Sequence, residues 1–185
     1  VNDKQVKVIQ LIQAYRNRGH QVASIDPLGM MDREQIPDLD IEYHGLSKED
    51  LQTVFNTDTL RIGKDEATLQ EIINSLQLIY CGDLGIEYNH IVDIDERKWF
   101  QEKLELNVGK LDFQDDEKRY IFNRLNSAEG LAKFLAAKYP GMKRFGIDGC
   151  ESLIPLVDAL IQNCGIHGAK QICFGMAHRG RLNLL

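Results

Sequence analysis

RFGIDGCESLIPLVDALIQNCGIHGAKQICFGMAHRG, residues 144–180, is where the character of the chain changes. Glycine recurs through it, a helix-like run covers Ser152–Asn163, and a short apolar run, Gln171–Met176, lies between turn residues. Together they read as α/β organisation. A helix that starts near Glu151 or Ser152 puts Pro155 in its first turn, where the missing N–H is harmless. Downstream, FGMAHRGRLNLL (174–185) sets a turn carrying His178, Arg179 and Gly180 between the predicted strand and a helix starting near Arg181. A turn at the carboxyl end of a strand is where open α/β sheets leave their ligand crevice.

Upstream the pattern is helical. Val6, Ile9 and Ile12 with Val8, Leu11 and Tyr15 predict a first helix over 2–18, capped by Asn2 or Asp3. Arg16, Arg18 and Gly19 suit its C-terminus, with cations at the negative dipole end and Gly19 in a left-handed cap. IDPLG (25–29) reads as a turn fixed by Pro27. Ser47 with Asp50 and Thr68 with Glu71 resemble capping boxes that open helices over LQTVF (51–55) and LQEIINSLQLIY (69–80). Further helices are predicted over 93–105 and 115–138, the latter broken or bent near Asn126–Gly130. The expected organisation is therefore a helical domain over 1–138 and the beginning of an α/β domain over 139–185, divided at YPGMKR (139–144).

Composition narrows the function classes. The 185 residues are 43% hydrophobic and 27% charged, ordinary values for a globular protein, and no apolar run is long enough for a membrane span. Lysine and arginine total 22 against 28 acidic residues, a net charge of −6, and no basic–aromatic stripe suits nucleic acid. Cys81, Cys150, Cys164 and Cys173 lack C-x-x-C spacing, which favours reduced, mostly structural thiols over zinc ligands. VNDKQVKVIQ (1–10) has neither a secretion core nor transit-peptide character, so a targeting segment is either absent or removed. The start without Met and the stop inside a pattern suggest a fragment.

The turn at 175–183 is the main candidate for chemistry. Backbone N–H groups at a helix start would add to Arg179 and Arg181, while Gly175 and Gly180 allow close backbone approach to a ligand. Arg179 could fork onto a phosphate or carboxylate, and His178 could donate a hydrogen bond or move a proton near neutral pH. The alternative is a solvated basic loop with a structural histidine. His20 reads as structural, Asp148 and Glu151 as helix-start partners more readily than an acid/base pair, and DFQDDEK (112–118) as a solvated helix start. CGDLG (81–85) superficially suggests a thiamine-diphosphate magnesium motif, but it follows a helix and lacks the later Asn-Asn, so a helix C-cap at Gly82 explains it better.

LIQAYRNRGHQVASIDPLG (11–29), LIYCGDLGIEYNHI (78–91), RFGIDGCESLIPLVDALI (144–161) and GMAHRGRLNLL (175–185) run in this order over essentially the whole chain. Together they resemble the thiamine-diphosphate-dependent first component of the 2-oxoglutarate dehydrogenase complex, over the front of that enzyme. The resemblance implies a mainly α N-terminal domain followed by the start of an α/β thiamine-diphosphate-binding domain. It implies an oxidoreductase of the citric acid cycle that decarboxylates 2-oxoglutarate and passes the succinyl group to a lipoyl group of dihydrolipoyl succinyltransferase. Dihydrolipoamide dehydrogenase completes that complex, and the full-length enzyme is a homodimer. By position, His178 resembles the histidine that contacts the 2-oxo acid, and Arg179 the arginine that reaches cofactor and substrate. Arg181 and Asn183 are secondary candidates that also suit loop and helix packing.

Thiamine diphosphate and magnesium are the implied cofactors. The family's Gly-Asp-Gly…Asn magnesium motif, its later histidines and its second catalytic domain have no counterpart here, so no metal ligand is assigned and the fragment alone is expected to be inactive. A 2-oxoadipate dehydrogenase, a carboligating 2-oxoglutarate decarboxylase and a helical partner-docking module are the alternatives. No nucleic acid or membrane partner is expected, and the location is a bacterial cytoplasm, or a mitochondrial matrix if the source is eukaryotic.

Overall fold

The computed structural model describes residues 2–107 and 113–184. It is mostly helical, and its contacts separate two compact units, Val1–Leu111 and Asp112–Leu185, each described by itself.

The first unit is organised by two amphipathic helices. In α1 (Asn2–Arg18), Val8, Leu11, Ile12 and Tyr15 recur at three- and four-residue spacing and are all buried. In α2 (Leu69–Tyr80) the same spacing buries Leu69, Ile72, Ile73, Leu76, Ile79 and Tyr80. These faces join Phe55, Leu60, Ile86 and Tyr88 in one core, and each fully buried Leu or Ile contributes about 1.5–3 kcal/mol. Thr68 caps α2 as predicted: its hydroxyl accepts the Glu71 N–H at 3.2 Å, and Glu71 Oε2 accepts the Thr68 N–H at 2.9 Å.

Lys64 Nζ also reaches Glu71, at 2.7 Å. Lys64, then the Thr68 N–H and hydroxyl, hold the Glu71 carboxyl down to about 2 from an ordinary 4.5. A folded pKa below the unfolded value gives stability that is complete above the ordinary range and lost as pH falls through the folded one. Glu71→Gln should therefore show a shallower fall of thermal midpoint between pH 4.5 and about 2 than the parent protein. Parallel acid limbs in the two melting series would refute the coupling.

The second capping box behaves otherwise. Ser47 and Asp50 cap only a single 3-10 turn, Lys48–Asp50, and the helix predicted over LQTVF does not form. Val54–Asn56 is instead strand β1, paired antiparallel with β2 (Glu66–Thr68) in the register Val54↔Thr68, Phe55↔Ala67, Asn56↔Glu66. β-Branched and aromatic residues at 53–55 fit that pleated surface better than a helix. Gln5 fastens α1 to the hairpin, donating to the Asn56 carbonyl at 2.9 Å and accepting its N–H at 3.0 Å.

Gly19 is not a left-handed cap. Its φ is not positive, and it opens a 3-10 turn, Gly19–Val22. Glycine is needed there for closeness, because a Cβ would lie 2.6 Å from Tyr80 Cβ and 3.1 Å from the Tyr80 carbonyl oxygen. Gly19→Ala should cost about 1–3 kcal/mol as α1 is forced off α2, read as a lower denaturant midpoint. A midpoint at the parental value would show that the two helices separate freely. Gly82 likewise follows the end of α2 without a positive φ; Cys81 occupies the C-cap, and the Gly82 carbonyl accepts the Ser24 N–H at 2.8 Å.

α3 (Ile94–Asn107) completes the described part of the first unit. The second consists of α4 (Asp115–Lys138), α5 (Leu153–Ile166) and the one-turn α6 (Arg181–Leu184). α4 runs unbroken through Asn126–Gly130. The Ser127 hydroxyl turns back onto the Asn123 carbonyl at 2.8 Å, and one interior glycine costs only about 1 kcal/mol against a long helix. Pro155 sits in the first turn of α5, as expected. The contact boundary falls before α4, whereas composition changes only after it, at 138/139.

Gln171–Met176 is not a strand. A strand requires a neighbour to receive its ladder of hydrogen bonds, and among the described residues the only paired strands are β1 and β2. Much apolar surface of this unit stays open: Phe122, Phe134, Leu156, Leu160 and Phe174 are exposed, although α5 reads as a core helix.

Candidate functional site

The turn 176–183 is held in place by the segment before α5. The Gly180 N–H donates to the Phe145 carbonyl at 2.9 Å, and Gly180 lies so close to Ile147 that a Cβ would meet the Ile147 side chain at 3.1 Å. Its φ of +76° adds a second reason for glycine. The two segments bound a cleft of about 390 Å³ against α4, with Lys143, Arg144, Asp148, His178 and Asn183 among its lining residues and Leu131 and Leu135 behind them.

Four sequence-predicted residues fall here in different roles. His178 lines the cleft, its ring edge-on to Phe145 with centroids 4.9 Å apart. Arg179 is not among the lining residues; its guanidinium lies over the Phe145 ring, 5.5 Å from the centroid, as a cation–π pair. Arg181 donates to the Met176 carbonyl at 2.9 Å and so staples the turn. Asn183, the third residue of α6, lines the cleft.

Among the described residues His178 and Arg179 are exposed, and Arg181 opens α6, of which four residues are described. Lys143 and Arg144 were read from sequence only as a surface boundary. Asp148 faces the cleft, while Glu151 is the group that accepts a backbone N–H, from Gly149 at 2.9 Å. The proximity of 143–148 to 178–183 comes from the chain returning after α5, which no local spacing encodes.

No family model matches the chain. Curated relatives do: the chain is 52% identical over 182 residues to a 2-oxoglutarate dehydrogenase E1 component of Azotobacter vinelandii and 45% identical over 182 residues to that of Cupriavidus necator. Both alignments cover 98% of this chain. The chain belongs to the 2-oxoglutarate dehydrogenase E1 family. A multifunctional 2-oxoglutarate metabolism enzyme of Mycolicibacterium vanbaalenii is 43% identical over 188 residues, covering all of this chain. The chain spans 19%, 19% and 15% of the length of these three relatives.

The cleft gathers more basic than acidic side chains. Lys143, Arg144 and His178 offer cationic or hydrogen-bonding groups to an anion against one carboxylate, Asp148. Among the described residues no group of three or more histidine, cysteine or acidic side chains could hold a metal ion. Nor does any helix among them have the length and apolarity to cross a membrane.

The first unit contains a buried polar cluster that spacing missed. Arg16, read as a dipole partner, is 3% exposed and forks onto Glu105, with Nε–Oε1 at 2.8 Å and the second contact at 3.1 Å. Glu105 also accepts the Tyr80 hydroxyl at 2.7 Å and the Arg61 N–H at 2.9 Å. Burial opposes the Arg16 charge, but the bonds to Glu105 raise its pKa on balance. Burial, then the Glu105 charge, push the Tyr80 phenol far upward. This cluster is a closed structural joint, in which Glu105 accepts from Arg16, Tyr80 and the Arg61 N–H. Burial also pushes the Cys81 thiol up to about 11, and no two cysteines are joined in a disulfide among the described residues.

Proposed function

We infer that the chain is a segment of an enzyme that oxidatively decarboxylates 2-oxoglutarate and transfers the succinyl group to a lipoyl group of dihydrolipoyl succinyltransferase, within the citric acid cycle. The observation that carries this reading is the 52% identity over 98% of the chain to a 2-oxoglutarate dehydrogenase E1 component. The cationic cleft at His178 is compatible with it. In this reading residues 1–138 are a helical domain and 139–185 open the α/β domain that binds thiamine diphosphate. The exposed apolar side chains of α5, Leu156 and Leu160, support that division, since a helix of this character belongs between a sheet and further layers. A homodimer, dihydrolipoamide dehydrogenase as a further partner and a bacterial cytoplasmic location belong to the same proposal.

Thiamine diphosphate, when bound, supplies the carbanion chemistry that breaks the bond to the carboxylate. This chain's contribution is placement and charge. His178 would donate a hydrogen bond to the 2-oxo acid or move a proton at its ring nitrogen, and Lys143 and Arg144 would offset carboxylate charge at the cleft. Arg179, held on Phe145, would swing toward the cofactor only by leaving that ring. Arg181 and Asn183 would keep the turn in shape.

The test is carbon dioxide release by the full-length protein. Activity with 2-oxoglutarate should disappear when thiamine diphosphate and magnesium are dialysed away, and return when both are restored. Higher kcat/KM with 2-oxoadipate would move the assignment to that relative, and carbon dioxide release from neither acid would overturn it. The 185-residue chain by itself should release none.

A further inference from the structure

A second cleft, of about 720 Å³, lies within the first unit, and every described side chain lining it is polar or charged. Four of them are cations drawn from three separate parts of the chain: Arg16 on α1, Arg61 in the β1–β2 loop, and Arg97 and Lys98 on α3. Among the described residues Glu102 is the one carboxylate on the wall, and its contact with Arg61 is a long 3.4 Å between half-exposed side chains. Glu105, beneath, is saturated by Arg16, Tyr80 and the Arg61 N–H. Counting both carboxylates, the cleft keeps a surplus of positive charge in a chain whose net charge is −6.

That surplus is not engaged. Among the described residues, Arg97 and Lys98 make no side-chain hydrogen bond or ion pair, and neither do Gln13 and Gln101 on the same walls. Arg16 is fixed by Glu105 and by Thr59 Oγ1 at 2.9 Å, while Asn89 is fixed by the Arg16 carbonyl at 3.1 Å. The floor is thus rigid and charge-balanced, and the rim carries spare donors. No aromatic ring lines the cleft, so a planar base would find nothing to stack on, whereas guanidinium forks and amides match oxyanions and hydroxyls. The volume is that of a small-molecule site.

We propose that this cleft binds a small hydroxylated molecule carrying two or more oxyanion groups, separately from the cleft at His178. Arg97 and Lys98 take the charged groups, and Gln13 and Gln101 take the hydroxyls. Phosphates and carboxylates share this chemistry, and two probes distinguish them.

The experiment is calorimetric titration of the full-length protein at low salt with fructose 1,6-bisphosphate, citrate and, as an uncharged control, glucose. A double variant, Arg97→Ala with Lys98→Ala, is run beside the parent. The expected result is saturable binding of at least one anion, no heat from glucose, and about a tenfold or greater loss of affinity in the variant, consistent with loss of roughly one charge-assisted contact. Tighter bisphosphate binding assigns a phosphorylated ligand, tighter citrate binding a polycarboxylate, and equal binding supports the shared chemistry. Hydrogen exchange in the parent should slow over 89–102 when the anion is added, which reports the site without any variant. Binding of neither anion, parental affinity in the variant, or protection confined to other segments would overturn the proposal.

Discussion

On the proposed function, His178→Ala in the full-length protein is expected to lower kcat for 2-oxoglutarate decarboxylation by about 100-fold or more, the range for a positioned proton-transfer or hydrogen-bonding group. The fold should barely register the change. His178 is exposed, its described contact is the edge of Phe145, and an aromatic pair of that kind contributes about 0.5–1.5 kcal/mol. A large kinetic loss with a near-parental melting curve therefore separates chemistry from stability. His178→Asn keeps a donor but no proton near neutral pH, so it should recover substrate affinity more than turnover if proton movement is the role. Unchanged specific activity in His178→Ala would remove the histidine from the active centre, and with it the reading of the 390 Å³ cleft as a substrate site.

What could be read from the sequence divides along the distance over which each signal acts. α1 and α2 announce themselves because their buried residues repeat within one turn, and the Thr68–Glu71 cap is a three-residue motif. LQTVF was misread because the same cap chemistry at Ser47–Asp50 serves a single turn, and only the pairing of Phe55 with Ala67 decides for a strand. Gly19 carried a true signal with the wrong cause: the contact with Tyr80 is made across 61 residues and has no local trace. Gln171–Met176 shows the opposite limit, an apolar run with strand composition and no neighbour to pair with among the described residues. At the candidate site the turn and α6 start where spacing put them, near Arg181. The partners Lys143, Arg144 and Asp148 could emerge only from the return of the chain after α5.

Glu105→Ala is expected to cost about 3–5 kcal/mol, the penalty for leaving a buried charge without its counter-ion. Arg16 would keep only Thr59 Oγ1 among its present side-chain partners, in a place where its side chain is 2% exposed. A clue to this burial stands in the sequence, since position 16 follows Ile12 by four residues and so shares the apolar face of α1. Nothing local names the partner, because Glu105 lies 89 residues away on α3. The pair need not make a large net contribution for its rupture to be severe: bringing both charges out of water offsets much of their attraction. The double variant Arg16→Met with Glu105→Leu should therefore regain a large part of the loss, with the Tyr80 hydroxyl still able to bond Tyr88 at 3.1 Å. By contrast, Arg61→Ala should cost under about 1 kcal/mol, because its side-chain contact with Glu102 is half exposed. Denaturant midpoints, with hydrogen exchange of α1 and α2 as the local readout, measure all three. A Glu105→Ala midpoint close to the parental one would show that water or another residue reaches Arg16, and that the joint between α1 and α3 is not closed.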